Sequence, residues 1–301
     1  MIYNFFTYFI FLFLFFSPHY LSSNKIQPPV FIIWNIGQGS WSSLVTNNTC
    51  FHFDMGGKRL HKKNKIIQSC KKKQNILLLT HADTDHVNLT YQFKKKWIKF
   101  CLYKNPREQP KKYNKRYLKN LQLCSKKTLM LLKKQDIVEI KFSIPKKNTF
   151  YKKKYYTFKS GIKSGFKSGT KSRFKSGFKS GFKHEHKSNP KSRSNFLSRI
   201  FLVKKLILIG GDSTKKAELL WKNNIPNPEK IKYFLLNHHG SKNSNHIKLL
   251  KKLKNLKVAI ASAKKSRYKH PHKKVVLRLK KQKVALLQTE VWGSIYIYLK
   301  K

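Results

Sequence analysis

Acidic side chains are scarce in this chain. Of its 301 residues, 11 are Asp or Glu and 67 are Lys or Arg, so the formal net charge is +56. Clustered Lys and Arg release counterions from phosphate backbones, and the excess therefore favours a polyanionic partner. Composition bias is the alternative origin of the charge, because Lys, Asn, Ile and Phe are all abundant, as in proteins encoded by A/T-rich genomes. In either case the positive field draws anionic substrates towards the protein.

Cysteine is also sparse and lacks paired spacing. The chain has four cysteines and no CxxC pair, which argues against a structural zinc site. If the chain is exported, one or two disulfides can form, and isolated buried thiols are the alternative. The four are Cys50, Cys70, Cys101 and Cys124.

Long apolar runs are lacking too. The longest, Phe5–Phe16, ends at Ser17-Pro18 and is short for a bilayer span of about 20 residues, but it suits the core of a signal peptide. No Lys or Arg precedes it, and Leu21-Ser22-Ser23 is a fair small-residue cleavage site. We predict that residues 1–24 are a signal peptide or an N-terminal membrane anchor, with the remaining chain outside the cytoplasm. A buried helix is the alternative.

From residue 25 to residue 301, strand-like and helix-like segments alternate, and this alternation predicts one domain with an α/β fold. Apolar runs bounded by Gly and polar residues predict the strands. Helices are predicted between them, for example at 214–222, 246–254 and 273–281. The predicted strands are Val30–Ile36, Trp41–Val45, Cys50–Asp54, Asn75–Thr80, Trp97–Tyr103, Ile137–Ile144, Phe196–Val203, Leu206–Ile209, Tyr233–Leu236, Val258–Ser262, Val284–Gln288 and Ser294–Leu299.

A low-complexity insert interrupts this domain at about 158–195. Variants of Phe-Lys-Ser-Gly recur there with a period of four residues, and such a composition cannot bury a core and predicts disorder. Aromatic rings spaced among lysines could stack on single-stranded bases. Expansion of a repeat within a surface loop is the alternative origin of the insert.

The densest cluster of metal-ligand types follows the apolar run at 76–79. The segment Thr80-His81-Ala82-Asp83-Thr84-Asp85-His86 holds two histidines and two carboxylates within six residues. The whole chain contains five aspartates, so two of them beside two histidines indicate a cation site.

Three further segments place ligand-type residues directly after an apolar strand: Asp54, Asp212 and His238-His239. In a tight loop, His81 and Asp83 can point to one cation while Asp85 and His86 point to a second. Two cations about 3.5–4 Å apart need a bridging carboxylate, and Asp212 is the candidate. Taken singly, two of these motifs are also compatible with roles outside a metal site. Asp212 could cap the helix that begins near residue 214, and a His-His pair can be a turn with one functional histidine.

These motifs belong to an ordered set that spans roughly residues 30–300, with little contribution from 104–195. In order and spacing the set resembles the metallo-β-lactamase-fold hydrolases, and more closely the C-terminal domain of the ComEC family of DNA-internalisation competence proteins. The segments are Asn35-Ile36-Gly37-Gln38-Gly39-Ser40, Asp54-Met55-Gly56-Gly57, Leu79–His86, Gly211-Asp212, His238-His239-Gly240-Ser241 and Tyr268-Lys269-His270-Pro271, followed by Thr289 and Gly293-Ser294-Ile295.

The resemblance implies a four-layer αβ/βα sandwich, the metallo-β-lactamase fold, with two divalent metal ions. The ions are Zn²⁺ or Mn²⁺, because Asp83 stands where many members have histidine and a carboxylate-rich site tolerates Mn²⁺. The ligands it implies are His81, Asp83, Asp85 and His86, Asp212 as the bridge, and His238 or His239 from the second half of the chain.

The resemblance also implies a hydrolase, and most directly a phosphodiesterase or nuclease that cleaves DNA with a hydroxide activated by two metals. Asp85, His270 and Lys242 are the candidate catalytic residues, since Lys242 and His270 could neutralise a phosphate oxygen or protonate a leaving group. Two alternatives stay open. One is another hydrolase of this fold, acting on a lactam, thioester or phosphocholine ester, and the other is a non-catalytic nucleic-acid-binding relic.

The sequence departs from the family pattern in three respects. Asn35 and Ser40 stand where the first motif usually has Asp, and Asn88-Leu89 replaces a Gly-Gly pair. The wider superfamily takes another histidine from the middle of the chain, where His184 and His186 are the candidates. The metal ligands are thus retained, whereas the flanking acids are lost.

Overall fold

The computed structural model describes residues 28–58, 68–96, 99–107, 112–143 and 194–299. The apolar segment within residues 1–24, His184, His186 and the repeat insert up to residue 193 lie outside these ranges. None of the helices within them is long and apolar enough to span a membrane.

Two six-stranded mixed sheets form the framework of the described residues. Their strand orders are β12-β1-β2-β3-β4-β5 and β11-β10-β9-β8-β7-β6. Every strand overlaps one predicted from the sequence, so the predicted α/β class is confirmed. The strands are β1 (Val30–Ile33), β2 (Ser42–Val45), β3 (Thr49–Phe53), β4 (Gln74–Leu78), β5 (Cys101–Leu102), β6 (Ile137–Ile140), β7 (Ile200–Val203), β8 (Ile207–Ile209), β9 (Tyr233–Leu235), β10 (Val258–Ala261), β11 (Ala285–Gln288) and β12 (Ile295–Tyr298).

Short helices connect the strands. Among the described residues, single turns of 3₁₀ helix lie at Lys222–Asn224 and Pro228–Lys230, and a kinked turn lies at Asn237–Gly240. The α-helices are α1 (Thr84–Val87), α2 (Thr90–Lys96), α3 (Lys112–Leu118), α4 (Lys126–Lys134), α5 (Lys215–Trp221), α6 (Ile247–Lys252), α7 (Lys265–Tyr268), α8 (Lys273–Lys281) and α9 (Thr289–Trp292).

The core is divided into three layers of buried side chains. The middle layer lies between the sheets, where Phe53 of β3 meets Phe201 of β7 with ring centroids 5.6 Å apart. One outer layer packs the first sheet against α1 and α2, through residues such as Trp41, Val87 and Phe93. The other packs the second sheet against α5, α6 and α8, through residues such as Trp221, Leu249 and Leu279. The molecule is therefore an α/β sandwich with helices outside two facing sheets.

In strand β3, successive side chains point alternately into the middle layer and into the outer layer of the core. Phe51 and Phe53 point into the middle layer, whereas Cys50 belongs to the outer one, as the two-residue period of a strand requires. The outer face also carries a disulfide between Cys50 and Cys70, and a second disulfide joins Cys101 to Cys124. The four cysteines are therefore paired rather than isolated thiols.

Candidate metal centre

Loops that follow four strands bring the ligand-type side chains together. In the first sheet, Asp54 follows β3 and residues 81–86 follow β4; in the second, Asp212 follows β8 and residues 238–239 follow β9. The strands of each pair are parallel neighbours, so both of their carboxyl ends open at the same edge of the sheet. Each half of the sandwich thus supplies two loops to one site.

Asp212 lies at the centre, and its two carboxylate oxygens face different histidines. Its Oδ2 is 3.9 Å from Nε2 of His81 and 3.6 Å from Nε2 of His238. Its Oδ1 is 3.1 Å from Nε2 of His86 and 3.7 Å from Nε2 of His239. Helix α5 is capped by Thr214, whose side chain accepts a hydrogen bond from the backbone of Ala217. The capping role considered for Asp212 is therefore wrong, and its carboxylate belongs to the cluster.

The two aspartates of the 81–86 loop extend this division. Oδ2 of Asp83 lies 3.8 Å from Nε2 of His81, and Oδ2 of Asp85 lies 3.3 Å from Nε2 of His239. Within the loop, therefore, Asp83 is placed on the Oδ2 side of Asp212, and Asp85 contacts a histidine on its Oδ1 side. All seven ligands expected from the sequence meet in one cluster.

Several ligand atoms of this cluster face one another closely but make no hydrogen bond. Nε2 of His81, His86 and His239 and Oδ1 of Asp212 are buried without a hydrogen bond among the described residues. An unpaired buried polar atom costs about 1–3 kcal/mol, so the convergence of four such atoms indicates a missing partner of opposite charge. His81, His86 and Asp212 form one group with ligand atoms within 4.8 Å of one another, and Asp85, His86 and His239 form another. These residues fit a divalent cation.

Hydrogen bonds outside the cluster orient the histidine rings. Nδ1 of His86 lies 2.8 Å from Oδ2 of the buried Asp54, and Nδ1 of His239 lies 2.8 Å from the carbonyl oxygen of Ser262. Each Nδ1–H is a donor in these contacts, so in the neutral form of each ring Nε2 presents its lone pair towards Asp212. Thr80 fixes Asp54 in turn, because its backbone N–H donates to Oδ1 at 2.8 Å.

Opposing charges outweigh the effect of burial on the pKa values of Asp212 and His86, but not on that of His81. Burial favours neutral Asp212, but His238, His86 and His239 hold the pKa of its carboxyl well below the usual range. Burial likewise favours neutral His86, but Asp212 and Asp54 raise its pKa well above the usual value. Burial lowers the pKa of His81, and the neighbouring His86 lowers it further. A divalent cation would replace the proton on His86 as the balancing charge.

The turn that carries His238 and His239 has an unusual backbone. Their φ angles are 50° and 54°, and Gly240 follows with a φ of 88°. Side chains of L-residues avoid this left-handed region, at a cost of roughly 1–2 kcal/mol per residue. A Cβ on Gly240 would also lie 2.6 Å from Cβ of Pro271. The turn therefore presents two consecutive histidines to Asp212 and brings the 270–271 segment against them.

Glu218 of α5 ties both ends of this loop. Its Oε1 accepts hydrogen bonds from Nδ2 of Asn237 at 2.7 Å and from the backbone N–H of Asn245 at 2.6 Å. Its Oε2 accepts from the backbone N–H of His246 at 2.7 Å. Burial raises the pKa of this carboxyl despite these donors. Neither Glu218 nor Thr80 is among the site residues predicted from the sequence. One feature of the sequence could have drawn attention to Glu218. It is an acidic residue within a predicted helix, and the chain has very few acidic residues.

The two further candidate catalytic residues differ in their placement. His270 is half-buried, its ring centroid is 6.1 Å from that of His238, and its Nδ1 has no partner among the described residues. Burial and the neighbouring histidines lower its pKa to about 4. Lys242 is exposed, and its described contact is through its backbone carbonyl, which accepts a hydrogen bond from Nη2 of Arg278 at 3.4 Å. His270 thus lies beside the cluster, whereas the role of Lys242 stays a prediction.

The departures from the family pattern lie around the cluster. Ser40 lines a small pocket with His86, Asp212 and His239, and its backbone N–H donates to the carbonyl of Asp85 at 2.9 Å. Asn88 bonds the backbone of Gly57 through both its Oδ1 and its Nδ2. A side chain thus replaces the expected glycine pair and fastens the 54–57 loop to the end of α1.

A third group of ligand types lies apart from the centre. Cys50, His52 and Cys70 are buried with ligand atoms within 4.8 Å of one another. Both sulfurs are joined in the disulfide, so they are not thiolates. His52 is held between Oγ of Ser43 at 2.8 Å and Oδ1 of Asn75 at 3.1 Å, as expected for a satisfied histidine of the core.

Fold and cluster together define an α/β sandwich with a candidate site for divalent metal. No family model matches the chain. Over 88 residues it is 33% identical to ComE operon protein 3 of Bacillus subtilis (strain 168). The match covers 29% of this chain and 11% of that protein, so it spans about a tenth of the relative's length. Over part of its length the chain is thus similar to a competence-related protein.

Proposed function

We propose that this protein is a metal-dependent hydrolase of the metallo-β-lactamase fold, and that it acts on DNA as a phosphodiesterase or nuclease. The convergence of unpartnered ligand atoms around Asp212 carries the proposal. The order of layers and the partial similarity to a competence protein support it.

The candidate ligands lie on two sides of Asp212, which would connect them. His81, Asp83 and His238 would hold one ion beside Oδ2, whereas Asp85, His86 and His239 would hold another beside Oδ1. When bound, two divalent cations supply Lewis acidity and lower the pKa of water enough to provide a nucleophile near neutral pH. Imidazole and carboxylate ligands suit both Zn²⁺ and Mn²⁺.

The chain's own residues orient the ligands and the substrate. Asp54 and Ser262 fix the His86 and His239 rings through Nδ1. His270, with its unpartnered Nδ1 beside His238, would donate a hydrogen bond to a phosphate oxygen or to the leaving group. Lys242, four residues after His238, would add positive charge at the mouth of the site.

A polyanionic substrate is supported by the charge of the whole chain. The net charge of +56 raises the local concentration of phosphate backbones whether or not composition bias caused it. We also propose export or membrane anchoring through residues 1–24. The two disulfides support this location, because such bonds persist in oxidising compartments.

The test combines metal analysis with a cleavage assay. The purified protein is assayed for bound metal and for cleavage of single- and double-stranded DNA with Mn²⁺ or Zn²⁺, beside His81→Ala and Asp212→Asn. We expect metal in the wild type and a loss of cleavage on the order of a hundredfold or more in both variants. Asp136→Asn is the matched control, since Asp136 pairs with Lys205 on the surface.

Each rival function predicts another pattern. A wild type without metal, with variants that behave identically, refutes the hydrolase. Cleavage unaffected by both substitutions indicates a contaminating nuclease. Turnover of a lactam or thioester that is insensitive to salt indicates another hydrolase, and salt-sensitive DNA binding that is indifferent to chelator indicates a non-catalytic relic.

A further inference from the structure

Two exposed aromatic side chains lie on the short helices α7 and α9, which follow the neighbouring strands β10 and β11. Tyr268 ends α7 with half of its surface exposed, and Trp292 ends α9 with 67% exposed. Single exposed aromatic side chains are common, so the surroundings of these two rings, rather than their exposure, indicate their role. We refer to Tyr268 and Trp292 as the aromatic rim.

Contacts connect both helices to the metal ligands. Helix α7 follows β10, where the carbonyl of Ser262 holds His239. Helix α9 follows β11, and Oγ1 of its first residue, Thr289, donates to the carbonyl of Ala261 at 3.5 Å. The helices also touch each other, because the backbone N–H of Lys265 donates to Glu290 at 2.7 Å. Both thus begin at the edge of the second sheet that carries His239.

A row of rings leads from the rim to the cluster. The ring centroid of Tyr268 lies 6.0 Å from that of His270, which lies 6.1 Å from that of His238. Trp292 is three residues before β12, whose first residue, Ile295, pairs with Ile33 at the end of β1. The loop after β1 contains Ser40, which lines the pocket beside Asp212. Tyr268 is thus linked to the cluster through two histidine rings, and Trp292 lies on the segment that leads into β12.

The charge around the rim is positive. Lys265 and Lys269 flank the α7 turn and are exposed, and Lys242 lies on the loop of the metal-ligating histidines. Glu290 is the acid of α9, and its carboxylate accepts the hydrogen bond from α7. Exposed rings among lysines are what single-stranded nucleic acids bind, because bases stack on the rings while the cations contact the phosphates.

We propose that Tyr268 and Trp292 are stacking platforms for the bases of a single-stranded nucleic acid whose backbone reaches the metal centre. This inference rests on the proposed function and names its substrate class. In a duplex the base faces are stacked inside the helix and cannot reach the rings, so the rim selects unpaired strands. Other hydrolases of the fold would have no use for such platforms.

Binding without cleavage tests the rim. The protein is titrated into a fluorescein-labelled oligothymidine of about 12 nucleotides and, separately, into a matched labelled duplex, and binding is measured by fluorescence anisotropy. Both titrations contain a metal chelator and the same salt concentration. We expect Tyr268→Ala and Trp292→Ala each to weaken single-strand binding about tenfold, with little effect on the duplex. Trp292→Phe should retain the affinity, because phenylalanine also stacks.

Tyr298→Ala is the matched control. Tyr298 is as exposed as Trp292, but it pairs with Val30 at the other end of β12, so we expect unchanged affinity. The proposal would be overturned if Tyr298→Ala lost as much single-strand affinity as the rim variants, or if the rim variants lost as much affinity for the duplex. It would also be overturned if both rim variants bound the single strand as the wild type does, or if the wild type did not bind it at all. Stacking in a protein that never hydrolyses DNA would refute the proposed function alone, and cleavage without any rim effect would refute the rim alone.

Discussion

Oδ2 of Asp54 lies 2.8 Å from Nδ1 of His86, with both side chains buried. The contact fixes which nitrogen of His86 carries the proton and points the other at Asp212. Asp54 itself is held by both the backbone and the hydroxyl of Thr80. A carboxylate without a direct place in the cluster thus orients one of its ligands.

Replacing Asp54 by Asn should weaken metal binding about 10–100-fold, because a ligand loses its orienting charge. Isothermal titration with Mn²⁺ or Zn²⁺ measures the effect. Asp136→Asn is the control, since Asp136 has nearly the same φ, 54° against 56°, but lies on the surface. An unchanged affinity in Asp54→Asn would show that the contact does not orient the ligand.

Glu218→Gln should destabilise the loop of His238 and His239. An amide in place of the carboxylate turns a donor group towards the backbone N–H of Asn245 or His246, and we expect a loss of about 1–3 kcal/mol in the free energy of unfolding. Urea denaturation of the metal-free protein measures it. Metal titration should also show weaker binding, whereas a change in stability alone would mean that Glu218 does not position the ligands.

The control for Glu218 is Glu229→Gln. Glu229 is exposed on the Pro228–Lys230 turn, and substitutions at such surface positions change stability by less than about 0.5 kcal/mol.

The buried His52 should make stability depend on pH. Burial lowers its pKa from 6.5 to about 4, so between these values the unfolded chain binds more protons than the folded one. The contribution of His52 to the free energy of unfolding is fully present above pH 6.5. It is lost as the pH falls towards 4, and its upper limit is about 3 kcal/mol. Denaturation at several pH values, compared with His52→Gln, isolates the effect from the other histidines. If the free energy of unfolding depended on pH in the same way in the wild type and in His52→Gln, the proposed effect of His52 would be contradicted.

Each disulfide should contribute a similar free energy. The closed loops have sequence separations of 20 and 23 residues, for which loss of chain entropy gives about 3 kcal/mol apiece. Thermal or urea unfolding of the Cys50→Ser/Cys70→Ser and Cys101→Ser/Cys124→Ser double variants provides the comparison. Wild-type stability in either variant would show that the corresponding bond is not formed.

Ser40→Asp restores an acid that the family pattern expects beside the centre. Because Ser40 lines the pocket next to His86 and His239, a carboxylate there should strengthen Mn²⁺ binding severalfold and leave the fold unchanged. Asn35→Asp introduces the other acid. Oδ1 of Asn35 accepts a hydrogen bond from the backbone N–H of Gly37 at 3.4 Å, and because an Asp carboxylate there would keep this contact, we expect no gain. Equal effects at both positions would indicate a general charge effect.

The sequence predicted strands and ligand-bearing loops because both depend on local patterns. Each strand that precedes a ligand is an apolar run that ends in a polar motif, as at Leu78 before His81. The two carboxylate oxygens of Asp212 face different histidines because two sheets from distant parts of the chain pack together, and no spacing along the chain encodes this packing. The same applies to Glu218, whose partners lie 19 to 28 residues away, and to the disulfides, which spacing left undecided.

The left-handed turn at His238, His239 and Gly240 limits how the sequence can drift. The chain already carries 67 Lys and Arg residues, and a further basic residue at an exposed position should change stability little. At this turn a β-branched residue would be disfavoured even if the metal were irrelevant, because such side chains are outliers at positive φ. Tolerance to substitution should therefore fall sharply over three neighbouring positions, for reasons of backbone shape as well as chemistry.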